Sequence, residues 1–206
     1  MKIIKLLLLS FIFCACSGAA LKKTQEPLRS YPVFLQNGQS SAAFKIDFKA
    51  MGGQYGGVLL LSRKSDTNVE IRVLADFATR LAEASFDGSK LNFTYILQNT
   101  FDAKTTEIFE DIIKVLLVPP QNFTSAYKAA SGDGIVNFKS NKFMQRYYFK
   151  KGISYPYKLE EIKTIVKKKF LFEDYTVYGD TSLPSVIICK DAHNIAELKL
   201  TLISVK

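Results

Sequence analysis

Residues 91–120 read LNFTYILQNTFDAKTTEIFEDIIKVLLVPP, and the fold turns on them. Leu91, Phe93, Tyr95 and Leu97 alternate with Asn92, Thr94 and Gln98. Apolar side chains at every second position make a strand with one wet face. After Asn99 the period changes. Ile108, Phe109, Ile112, Ile113, Leu116 and Leu117 form a two-wide stripe at helical spacing. Glu107, Glu110 and Asp111 stand early in this helix and Lys114 late, the polarity its macrodipole favours. Pro119-Pro120 stops it. A helix this apolar on one side needs a broad apolar surface to lie on, and the strands before it supply one.

Upstream, the period of two recurs. Phe44, Ile46 and Phe48 alternate with Lys45, Asp47 and Lys49. Met51 to Gly57 breaks the pattern, lacks the Gly-Lys-Ser/Thr of a phosphate loop, and reads as a hairpin turn followed by a strand bent at glycines. Val58 to Leu61 continues that strand. Val69, Ile71, Val73 and Ala75 make the next, Thr79 to Phe86 another, and Asp87-Gly88 is a hairpin signal before Leu91. Downstream of the helix, strands are expected over 135–139, 143–150, 157–166, 170–178, 185–189 and 195–205, with turns at Ser140-Asn141 and at Asp191 to Asn194. The expectation is a mainly β chain of α+β class. About 11 strands form a strongly curled antiparallel half-barrel, and one helix covers it.

Twenty-eight Lys and Arg against 19 Asp and Glu give a formal net charge of +9. Lys167-Lys168-Lys169 is the one tight basic run, read as a solvated turn, with attraction to anionic headgroups as its functional alternative. An exported chain without a recognition motif makes a nucleic-acid partner unexpected. Cys189 lies in an apolar run beside Val186-Ile187-Ile188 and reads as a buried structural thiol.

The first residues, MKIIKLLLLSFIFCACSG, have a short basic start and an apolar core from Leu6 to Phe13. That core is shorter than the roughly 20 residues of a membrane span and has the layout of a secretory leader. Phe13-Cys14-Ala15-Cys16 resembles a bacterial lipobox. Residues 1–15 are therefore expected to be a signal peptide, Cys16 the lipidated residue, 16–30 the tether and 31–206 a single domain. The alternative is an ordinary leader cut near Ala20. Ser17 rather than an aspartate follows Cys16, which leans towards the outer membrane, facing the periplasm. Each buried methylene of such an anchor contributes about 0.8 kcal/mol.

This order of elements resembles the LolA/LolB-like lipoprotein carrier fold, its lipid-anchored LolB branch most closely. The resemblance rests on the strand pairs around Asp87-Gly88 and on the helix. It rests also on the tail: Tyr157 to Ile162, Phe170 to Tyr178, Leu183 to Ile188, and the alternating run Ile195 to Val205. It implies a monomer without cofactor or metal, binding acyl chains or lipoproteins in an apolar cavity. Candidate cavity residues are Phe44, Ile46, Phe48, Val69, Ile71, Val73, Leu91, Phe93 and Tyr95, facing Phe109, Ile113 and Leu116. The alternative for each is an ordinary closed core. The resemblance also places the family's membrane-touching loop at Ala75 to Thr79, without the family's Pro-Leu-Gly, with Phe77 either its tip or an ordinary packed residue.

Two non-enzymatic functions compete: a lipid or lipoprotein carrier, and an envelope lipoprotein that docks a protein partner. An enzyme is not expected. His193 is the single histidine, which excludes a multi-histidine metal site, and no Gly-x-Ser-x-Gly is present. Glu160-Glu161 reads as a solvated pair on opposite faces of a strand.

Overall fold

The computed structural model describes residues 21–25, 29–36, 38–50, 53–75, 78–97, 103–140, 143–193 and 196–206. The first meander comprises β2 (Ser41–Ala50), β3 (Gly53–Ser65), β4 (Asn68–Leu74), β5 (Arg80–Phe86) and β6 (Leu91–Ile96). Helix α1 (Ala103–Leu117) follows. A second meander then runs through β7 (Phe123–Lys128), β8 (Gly134–Lys139), β9 (Met144–Phe149), β10 (Lys158–Ile162), β11 (Val166–Tyr178), β12 (Thr181–Asp191) and β13 (Ala196–Val205). The short β1 (Lys22–Thr24) lies on β7.

All the described strands form one antiparallel sheet in the order β1-β7-β8-β9-β10-β11-β12-β13-β2-β3-β4-β5-β6. The two meanders are sewn together where β13 pairs with β2, Leu200 opposite Ile46. The sheet curls strongly without closing. Among the described strands two connections cross it: one from β1, at one edge, to β2 in the middle, and one from β6, at the other edge, to β7, which carries α1. The helix therefore crosses the concave face from rim to rim, because the chain has no shorter way to begin the second meander.

Burial follows the pleat. Phe44, Leu59, Leu61, Ile71, Ala82, Ala84, Phe149, Leu159, Phe170, Phe172, Ile187 and Leu200 all point inward, and each is buried. They form one cluster with Ile112, Ile113, Val115 and Leu116 of α1. Burial of apolar area at about 25 cal/mol per Å² is the main force holding helix to sheet.

The half-barrel covered by a helix is as the sequence indicates, but with 13 strands rather than about 11. The extra two are β1 and β7. Lys22–Thr24, read as tether, and Phe123–Lys128 are polar and short, and they pair at the rim where few apolar contacts are needed. The basic run is no turn: Lys167 to Lys169 lie within β11. Helix α1 begins at Ala103, a turn earlier than its apolar stripe, so its first turn holds no acidic residue. Glu110 instead pairs with Lys114 at 2.6 Å, one turn apart.

Candidate functional site

The register defines an interior with distinct ends. Residues paired across an antiparallel sheet share a face. Ala126, Val136, Tyr147, Leu159, Phe170, Cys189 and Leu198 make one inward row through successive pairings of β7 to β13. Two residues along lies a polar inward row: Gln145, Glu161, Lys168 and Asp191. Two residues the other way, Lys22, Lys128, Gly134 and Phe149 share the same face. The interior is thus an apolar trough with a polar row at one end and a basic rim at the other.

Helix α1 meets the polar row directly. Lys168 Nζ donates to Asp111 Oδ2, both side chains being almost buried. Gln145 Nε2 donates to Glu161 Oε1 at 3.4 Å, while Glu161 Oε2 is buried without a hydrogen-bond partner. Burial, and next the Asp111 carboxylate, push Glu161 up to about 7. Far from being solvated, Glu160 and Glu161 are both buried, though they do face opposite ways. Glu160 accepts from Tyr148 Oη at 2.6 Å and pairs with Lys158 at 3.1 Å on the outer face. Cys189 is buried as expected, and burial pushes its thiol up to about 12. His193 lies exposed in the turn between β12 and β13.

Of the candidate cavity residues, Phe44, Ile46, Ile71, Val73, Leu91, Phe109, Ile113 and Leu116 are buried together. Phe48, Val69 and Phe93 pack against that cluster while partly exposed, and the Phe93 and Phe109 rings lie 6.2 Å apart. Tyr95 does not join them. The register shifts between Glu83 and Ala84, so Tyr95 pairs with outward-facing Glu83. Its ring instead lies under the Arg80 guanidinium at 4.3 Å. A bulge flips every later side chain on its strand, which alternation alone does not reveal. Cys16 and Phe77 lie outside the described residues.

A segment that alternation also misses occupies the interior. Val33, Phe34 and Leu35 are buried, although they belong to no strand. Phe34 N donates to the α1 carbonyl of Leu116 at 2.7 Å, and its ring meets Phe44 edge-on at 5.0 Å. Tyr31 packs edge-on against Phe138, Tyr147 and Phe149. Leu35 holds a φ of 59°, a left-handed conformation costing a leucine about 1–2 kcal/mol. The apolar triplet 33–35, isolated before the first alternating run, is the signal for this plug. These side chains fill the part of the trough they line. Between Phe48, Ile108, Lys168, Cys189 and Leu198 the space left is about 10 Å³, at the threshold for one water.

No protein-family model matches the sequence, and no curated protein matches it. Solved structures do. The LolA superfamily protein NE2245 from Nitrosomonas europaea matches with a TM-score of 0.56 at 12% identity, over 85% of this chain and 88% of that one. A putative outer membrane lipoprotein-sorting protein domain from Vibrio parahaemolyticus gives 0.49 at 10% identity, over 82% and 85%. A DUF1329 family protein from Desulfovibrio piger gives 0.47 at 6%, over 82% and 86%. The match to NE2245 makes the fold LolA-like, as the order of elements indicates.

Proposed function

We propose that this protein is a lipid-anchored lipoprotein of the bacterial envelope that takes acyl chains, or lipoproteins by their acyl chains, into the trough beneath α1. The observation that carries this reading is the continuous apolar interior spanned by a single helix. Among the described residues that helix is tied to the opposite strands by an interior ion pair, Asp111 with Lys168. The fold shared with NE2245 supports it. A chain enters when α1 or the 31–35 plug gives way, since the space between Phe48, Ile108 and Cys189 is far smaller than a ligand pocket of several hundred Å³. The lipobox-like Ala15-Cys16 supports the anchor, the leader supports export, and Ser17 in place of an aspartate supports an outer-membrane site facing the periplasm.

The test is native mass spectrometry and solvent extraction of the full chain from bacterial envelopes, with peptide mapping of its N-terminus. Co-purifying acyl lipid and diacylglycerol on Cys16 are the expected results. A ligand-free protein that also takes up no added acyl chain would refute the carrier reading. The close packing of the described interior favours one other reading, a protein-docking module with no cargo. It predicts capture of a protein partner through exposed apolar side chains such as Tyr55 and Val177.

A further inference from the structure

The basic rim combines three cations on the inward face. Lys22 and Lys128 are directly opposed in the β1–β7 ladder, on the side of the sheet that carries Ala126 and Tyr147. Like charges so placed repel and are destabilising unless something offsets them. Arg29 lies beside them. Its guanidinium stacks on Phe149 at 4.6 Å and would come within 3.1 Å of a Cβ at position 134. Gly134, opposite Lys128, lets the guanidinium lie flat on the sheet at this point. Nη1 donates to Ile153 O at 2.6 Å, whereas Nε is buried without a hydrogen-bond partner.

Among the described residues no carboxylate pairs with any of these three cations. Asp133, in the β7–β8 turn, accepts instead from Ser131 Oγ at 2.9 Å and from Lys151 N at 3.1 Å. The chain leaves this rim at Arg29, and from Tyr31 onward it fills the trough.

We infer that the Arg29–Lys22–Lys128 rim is an anion site for the head of an amphiphile, a phosphate or carboxylate whose acyl chain enters the adjoining trough. A guanidinium whose Nε lacks a partner gains from pairing with such a group, and two flanking ammonium groups add charge. Phe149 makes the floor apolar where head gives way to chain. This inference rests on the carrier reading and adds the polarity of the ligand.

The experiment is calorimetric titration of the full chain with dodecyl phosphate, with dodecyl maltoside and with inorganic phosphate, each amphiphile below its micellar concentration. Dodecyl phosphate is expected to bind roughly tenfold or more tightly than the maltoside, the scale of one charge-assisted contact. Arg29→Gln and the double variant Lys22→Gln/Lys128→Gln are expected to abolish that preference by weakening dodecyl phosphate binding. Gly134→Ala, which crowds the guanidinium, is expected to reduce it. Both lysines are exposed, so the double variant keeps the test valid if Arg29→Gln fails to fold.

Equal binding of the two amphiphiles, insensitive to the variants, would overturn the rim site and leave the carrier reading standing. Inorganic phosphate bound as tightly as dodecyl phosphate would overturn the amphiphile assignment. Failure of every probe to bind would sink both.

Discussion

Lys168, on the inward face of a thirteen-residue strand, is paired with Asp111 in the middle of the covering helix, each side chain only 12% exposed. The pair is a polar link between lid and sheet, and its two partners are not equivalent. Replacing Asp111 by Asn leaves Lys168 beside Glu161, which ionises in its place. Replacing Lys168 by Met leaves two carboxylates facing each other with Lys114, already paired with Glu110, as a nearby cation. Lys168→Met is therefore expected to lose about 3 kcal/mol, and Asp111→Asn clearly less. Urea unfolding midpoints at pH 7 check the order, and the reverse order would refute this account of the pair.

Glu161 makes stability depend on pH in a direction opposite to most carboxylates. Asp111 and Lys114 face it from α1, Lys168 from β11, and Gln145 from β9. Its carboxyl titrates near 7 when folded, against an ordinary value of 4.5. Between those values the folded state holds the extra proton, so stability falls as pH rises from about 4.5 to 7 and levels off above. Glu161→Gln keeps an amide for Gln145 and removes the titration. It is expected to flatten the fall and to stabilise the protein at pH 8 by on the order of 2 kcal/mol. Thermal melts from pH 4 to 8 measure both effects.

How much was legible follows from what periodicity can carry. The first meander and the helix show in the sequence because one face of each is buried and the other wet. Leu59 and Leu61 are buried core residues within the unbroken apolar run Val58 to Leu61, so that run marked the strand but not their facing. Tyr95 was misplaced because a bulge is a tertiary accommodation that leaves the alternation intact. Lys168 and Glu161 look solvated in a sequence, and only the curl of the sheet brings them under Asp111. The Arg29 rim was invisible for a similar reason, since it depends on β1 pairing with a strand over a hundred residues away.

Gly56 and Gly57 are neighbours in β3 with different reasons to be glycine. A Cβ at Gly57 would lie 2.4 Å from the Leu74 carbonyl oxygen, so the β3–β4 ladder would have to part. At Gly56 the nearest atom would be 3.9 Å away. Gly57→Ala is expected to lose about 2 kcal/mol or more, and Gly56→Ala to be neutral or slightly stabilising. Parallel denaturation curves decide it, and equal effects would show that the close approach is relaxed in solution.

The plug offers a test of how the trough opens. Phe34 is 1% exposed, wedged between Phe44 and the end of α1, and held there by one backbone bond and its ring. Phe34→Ala removes the ring and leaves a void that neighbouring side chains only partly fill. The expected loss of stability is about 3 kcal/mol. Under the carrier reading the same void is a place for methylenes, so the variant is expected to bind dodecyl maltoside more tightly than the parent, and bound ligand to restore part of the lost stability. Melting temperatures with and without the maltoside give both numbers. A destabilised variant that gains no affinity would mean that Phe34 is ordinary core and that a chain, if one enters, does so by displacing α1 alone.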